Sequence, residues 1–398
     1  MEYTFNDNVP KKEFDMFVKN NKHVSFMQDY SWSYVKSNFS PIFCGLYKKD
    51  KLVATAVLLI RKIGLNIKFG YVPRGYLLDY SNKEILNEMT KSIKLLGKKH
   101  GLYNIKIDPN YCLKEHNKKH DLIIDDTLTS HHKIIHQNLL SCGYKHNKLY
   151  LSIKKSNQPR FNMMVPLYDN DKNIIDRKNL KNLYKRSTKV LFPNFFAKRG
   201  VYYEKTKDLA CLEEFVKVIH ETEKRQGLRL RDKKYFQTII ENLNSYLVFG
   251  KLNLTEYKAF LEANKGSEED INLVNEMLKK QSIITLSAAL LVMPVNNSGL
   301  KISEYLYAGN SLLFKKLRVS EGLVNYLCEI SIDNQCHYCN LGGVDGSLED
   351  HLSKFKLNFG SNITEHIGEY DLIINKFIYY PITILLPLLK KIYGKIKR

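Results

Sequence analysis

Two lysines flank one phenylalanine in Lys354-Phe355-Lys356, and Phe359-Gly360 closes the same stretch, KFKLNFG. On a solvated face such lysines are ordinary. Between buried aromatics one of them is a costly charge that needs a reason. A lysine charge held in a water-poor site can stabilise a developing oxyanion, and a donor so aimed is worth about 3–4 kcal/mol. If the stretch is a strand, Lys354 and Lys356 share one side and compete for that role. Asp108 ends the run IKID before Pro109, a position that suits a proton acceptor or a turn starter. Arg74 sits between Pro73 and Gly75 in the aromatic stretch YVPRGYLLDY, where solvation is less natural than meeting a counter-charge, Asp79 among the candidates. The pairs His116/His120 and His132/His136 have helical spacing without a third ligand, and Cys336/Cys339 has no partner pair, so no metal site is expected. Nor is a nucleophile triad evident, and the expectation is direct transfer without a cofactor or covalent intermediate.

The chain that must position these groups has 398 residues, 44% hydrophobic and 12% aromatic, enough for two domains with sizeable cores. Its formal net charge of +21 reflects either an AT-rich genome or a polyanionic partner: nucleic acid, phosphorylated substrate or anionic membrane. Seven scattered cysteines fit a reducing compartment. The opening MEYTFNDNVPKKEF has no secretory apolar run, and no stretch reaches the length of a membrane span. The expected location is the cytoplasm. The tail, apolar from Phe377 to Leu389 and then basic, suits a cap on the core or peripheral contact at the inner face of the membrane.

Two short amphipathic helices, FDMFVKNN and YSWSYVKSNF, precede a hairpin turning at Lys49-Asp50-Lys51. An aromatic strand, a helix opened by a capping box at Ser81–Glu84 and the strand YNIKIDPN follow. The same order returns downstream: SIITLSAALLVMPV, LKISEYLYAGN, a helix with Leu323, Val324 and Leu327 on its face, then CHYCNLGG. That order is that of an acyl-CoA N-acyltransferase-like (GNAT) half. The expected fold is α/β (α+β) with two GNAT-like domains in tandem, 1–158 and 159–398. A short helical hairpin arm is inserted at about 253–281. Between the halves, RKNLKNLYKRSTKVLF reads as one helix with an apolar stripe at Leu180, Leu183 and Val190 and a basic face. Neither half carries the glycine-rich turn that cradles a CoA pyrophosphate.

Seven stretches in order resemble the Fem-type peptidoglycan-bridge aminoacyltransferases: FMQDYSWSYVK, YVPRGYLLDY, IKIDPNY, ETEKRQGLRLRDKKYF, SEYLYAGNS, LGGVDG and FKLNFGSNITEHIGEYDL. The resemblance implies transfer of an amino acid from aminoacyl-tRNA to the side-chain amine of residue 3 of a stem peptide. The acceptor is a UDP-muropeptide or its lipid-linked form. It implies Lys356 as the catalytic lysine of a Phe-Lys-x-x-Phe-Gly motif and Asp108 as proton acceptor or orienting group. Lys36 and Arg225 become contacts to the precursor's phosphates or uridine, from separate halves. Arg74 joins them, and Tyr305, Tyr307 and Phe355 line the peptide groove, the two tyrosines on one strand face. The basic residues Arg177, Lys181, Lys185 and Arg186 offer a surface to tRNA or an anionic membrane. Two alternatives stay open: a thioester-dependent acyltransferase of the same fold, and a non-catalytic precursor- or RNA-binding relative.

Overall fold

The computed structural model describes residues 2–384 apart from 23, 64–65, 118–121, 126–129 and 228–230. Sixteen strands are seen among the described residues. The first eight are β1 (Tyr3–Asn6), β2 (Ser40–Lys48), β3 (Lys51–Ile63), β4 (Ile67–Val72), β5 (Leu102–Ile107), β6 (Cys112–His116), β7 (Leu122–Asp125) and β8 (Tyr144–His146). The others are β9 (Phe161–Pro166), β10 (Val201–Thr206), β11 (Ser245–Asn253), β12 (Ile283–Val292), β13 (Ile302–Asn310), β14 (Tyr338–Val344), β15 (Asn362–His366) and β16 (Tyr370–Ile373). They form two sheets, ordered β1-β2-β3-β4-β5-β16-β8 and β10-β11-β12-β13-β14-β9-β15-β6-β7.

The repeated order is present in both sheets. The hairpin β2–β3 turns on Lys49 and Asp50, both with positive φ, the geometry that matches strand twist. In each sheet a helix (Lys83–Lys99, Val319–Asp333) crosses between two parallel strands, β4 to β5 and β13 to β14. The first helix buries Leu86, Met89, Ile93 and Leu96. Its cap is Asn82 rather than Ser81: the Asn82 side chain accepts the Ile85 N–H, while Asp79 holds Ser81. The β13–β14 pairing lasts only from Ile302–Tyr338 to Glu304–Asn340, after which the strands part.

The two sheets exchange strands. β16 inserts between β5 and β8, while β6 and β7 extend the other sheet beyond β15. A division near residue 158 stays a proposal, with these strands tying the halves together.

Three local expectations are corrected. The basic segment is not one helix but short turns, Arg177–Leu180, Lys181–Leu183 and Arg186–Lys189, broken where the Lys185 N–H donates to the Asn358 carbonyl. Val190, placed on the apolar stripe, is 68% exposed, while Leu180 is buried. The stretch YSWSYVKSNF holds only the four-residue helix Trp32–Val35. The hairpin arm is two helices, Leu254–Ala263 and Glu268–Leu278, which bury Leu254, Tyr257, Leu261 and Val274 against Leu252, Leu286 and Leu317. No described helix is long and apolar enough to cross a membrane. Of the tail, residues 376–384 are helical; Phe377 is 92% exposed, and Tyr379 is buried with its hydroxyl on Asp371. The tail beyond residue 384 and His120 lie outside the described residues.

Candidate functional site

Lys356 lies on the short helix His351–Leu357, capped by Asp350, whose side chain accepts the Leu352 and Ser353 N–H groups. The helix separates the two lysines that a strand would have put together: Lys354 is exposed and Lys356 is 5% exposed. Its ammonium donates to the Gly343 carbonyl at 3.0 Å, and no ion pair to it is seen among the described residues. Desolvation brings it from the ordinary 10.5 down to about 7, with Asp350 pulling back. A lysine so placed is a candidate functional group rather than a solvated one.

Gly342 and Gly343 form one wall of a cavity of about 300 Å³, also lined by Arg74, Asn162, Glu304, Tyr305, Asn340 and His366. The glycines matter here. A Cβ on Gly343 would meet Pro159 at 2.3 Å, and one on Gly342 would lie 3.6 Å from the Lys356 ammonium. On the far side, Arg74 has φ +52, the left-handed region that costs a non-glycine residue about 1–2 kcal/mol. Asp108 holds it there, one carboxylate oxygen accepting the Arg74 N–H at 2.8 Å and the other the Tyr71 hydroxyl at 3.0 Å. The Arg74 guanidinium donates to the Pro159 carbonyl at 2.9 Å, not to Asp79. A continuous path thus runs Asp108, Arg74, Pro159, Gly343, Lys356. Asp108 is 2% exposed, and desolvation pushes its carboxyl up to about 6, against the pull of Arg74. Gln28, fully buried, clamps the same loop: it donates to the Pro73 carbonyl and accepts the Val57 N–H.

Gln158 lines this cavity and also an outer cleft of about 1200 Å³, bordered by β3 and β4 on one side and by the helices Trp32–Val35, Leu212–Gln226 and Lys233–Asn242 on the other. In the cleft the Lys36 ammonium lies 4.5 Å from the Trp32 ring centre and 5.9 Å from that of Tyr235. Desolvation first, then the charge of Arg231, lowers Lys36 to about 8. Two cations that repel each other on an aromatic wall are relieved by an anion, and a diphosphate has the charge for both.

Not every expected residue joins them. Arg225 donates to the Asn310 carbonyl and lines a different hollow; Arg231, six residues on in the same stretch, faces Lys36 instead. Tyr305 and Tyr307 fall on opposite sheet faces, because a bulge sets Tyr305 opposite Leu291 and Tyr307 opposite Leu290. Tyr305 lines the inner cavity. Tyr307 packs beside Phe236, its hydroxyl on that of Tyr235, itself in the cleft wall. Phe355 packs edge-on against Phe359 at the core margin. Of the basic surface, Arg177 pairs with Asp333, while Lys185 and Arg186 are exposed. The segment lies directly behind the Lys356 helix, with Tyr184 against Phe359 and the Leu183 carbonyl against Gly360. Gln28, Arg231, Glu304, Asn340 and His366 were not picked out from the sequence. All five lie within or beside stretches that carried the resemblance, but only packing tells which member faces the cavity or the cleft.

The sequence profile of the FemAB family matches residues 9–282 and 264–386. Lipid II:glycine glycyltransferase of Staphylococcus aureus (strain MRSA252) is 26% identical over an alignment 440 positions long, covering 98% of each chain. The protein of that name from strain USA300 is 27% identical with the same coverage. The crystal structure of FemX superposes with a TM-score of 0.76 at 24% identity, over 96% of this chain and 100% of that one. A tandem GNAT protein from the clavulanic acid biosynthesis pathway gives 0.50 at 7% identity, over 94% and 99%. Its likeness is one of fold.

Proposed function

The chain belongs to the FemAB family, and from that premise we propose that it is a tRNA-dependent aminoacyltransferase. It adds an amino acid to the side-chain amine of residue 3 of a peptidoglycan-precursor stem peptide. The similar glycyltransferases are named for lipid II and glycine, which supports a lipid-linked acceptor and glycine as the transferred group.

The observation that carries the reading is Lys356, a desolvated ammonium beside a cavity that shares the wall residue Gln158 with a cationic cleft. In this account the precursor's diphosphate rests on Lys36 and Arg231, and its stem peptide runs past Gln158 to the inner cavity. The acceptor nitrogen attacks the aminoacyl ester carbonyl; a C–N bond forms as the bond to the ribose oxygen breaks. Charge building on the carbonyl oxygen is met by the Lys356 ammonium, which acts strongly because water is excluded. Asp108, with both oxygens engaged, keeps Arg74 and hence the Pro159–Gly343 wall in place. The donor approaches over the basic segment behind the Lys356 helix, where Lys185 and Arg186 supply charge for phosphates. The loop after β13, where an acyl-CoA enzyme would hold pyrophosphate, is filled instead: Leu317 is buried and Phe314 packs on Tyr257. That supports a donor other than CoA.

Lys356→Met tests this. The expected outcome is turnover lower by about 100-fold or more with an unchanged fold, since one oxyanion donor is lost. Near-normal turnover overturns the proposed role.

A further inference from the structure

We propose that Glu304 is a further catalytic residue, which receives the acceptor's side-chain ammonium in the inner cavity and takes its proton. This rests on the acceptor being an amine, as read above.

Glu304 is the last residue of β13 paired to β14, so it stands where the two parallel strands part and open the cavity. It is the sole carboxylate among the described residues lining that cavity. The Asn340 amide donates to its Oε2 at 2.7 Å, and the Gly342 N–H donates to the Asn340 carbonyl oxygen at 2.8 Å, which fixes the amide's orientation. No hydrogen bond to the other oxygen, Oε1, is seen among the described residues. The charged and titratable groups around it are Arg74, His366 and Tyr305 in the cavity wall, Lys356 behind Gly342, and Cys339 on β14. An ammonium entering beside the Arg74 and Lys356 charges has one carboxylate to go to. Asp108, by contrast, has both oxygens taken and borders a separate space of only about 20 Å³.

Desolvation raises the Glu304 carboxyl to about 7, with Arg74 and Asn340 pulling it down. A base near the working pH suits this task, because a lysine-type amine at a pKa of about 10.4 is almost wholly protonated at neutral pH. In the step, an N–H bond of the ammonium breaks and its proton moves to Oε1. The freed nitrogen pair forms the C–N bond and the ester C–O bond breaks. The amine's next proton goes to the departing ribose oxygen, and Glu304 returns its own to water.

Glu304→Gln keeps an acceptor for Asn340 and removes the charge. Two readouts are taken: transfer across pH, and binding of an amine-bearing muropeptide against its Nε-acetyl analogue. The expected result is kcat lower by about 100-fold or more, loss of the acid limb near pH 7, and loss of the wild type's preference for the free amine. A kcat within about threefold of wild type, with limb and preference intact, overturns the proposal. If Glu304→Gln does not fold, Glu304→Asp decides: a drop of about tenfold or more with the acid limb retained supports the role, and wild-type kinetics overturn it. A wild-type protein that binds the free amine selectively yet uses no tRNA donor refutes the donor reading, while the binding comparison still judges Glu304. A protein that binds neither muropeptide refutes both.

Discussion

A lysine side chain in a dry interior pays desolvation for every proton it keeps, and Lys356 shows this in its drop to about 7. The consequence is measurable in stability. Between about pH 7 and the ordinary 10.5 the unfolded chain still binds a proton that the native state has lost, so this group makes the native state gain stability as pH rises. Lys356→Met removes the cost. The variant is expected to be more stable than wild type below pH 7, with the margin shrinking toward pH 10.5; a margin independent of pH would contradict the burial argument. Denaturant unfolding of the two proteins across pH measures it. The resemblance named Lys356 as the buried lysine, but spacing alone did not, because on a strand Lys354 and Lys356 would share one side. Only the seven-residue helix, which turns Lys354 outward, separates them. Arg74 was legible for a different reason: solvation is less natural for a cation in an aromatic stretch between Pro73 and Gly75, and it is buried with its guanidinium on the Pro159 carbonyl.

Elements place residues that spacing alone misplaces. The repeated strand-strand-helix-strand order was readable, since apolar periodicity is a property of whole segments. A one-residue bulge between β12 and β13 was not, yet it decides that Tyr305 reaches the cavity and Tyr307 does not. Likewise Arg231, just before the helix Lys233–Asn242, faces Lys36, whereas Arg225, in the last turn of the helix Leu212–Gln226, does not. Arg231→Ala is therefore expected to weaken precursor binding by about 10- to 100-fold, the worth of a charge-assisted contact, while Arg225→Ala stays within about threefold. Calorimetric titration of the precursor distinguishes the two. Equal losses, or the reverse order, would contradict the assignment of the cleft.

At the scale of the molecule, the net charge of +21 and the exposed Lys185 and Arg186 behind the Lys356 helix would make the proposed tRNA contact electrostatic. If six to ten phosphates are neutralised, donor affinity falls by about 10³–10⁵ between 50 and 200 mM salt, whereas binding of the precursor alone changes far less. A donor affinity that ignores salt would contradict a tRNA partner. The most direct measurement is transfer itself. Purified protein, a pool of radiolabelled aminoacyl-tRNAs, and lipid-linked or UDP-linked precursor are mixed with and without RNase, and the acceptor's mass is read. The account predicts an RNase-sensitive gain of one amino-acid residue on the stem-peptide amine. A gain that survives RNase, or one that appears only with acyl-CoA donors, would contradict it.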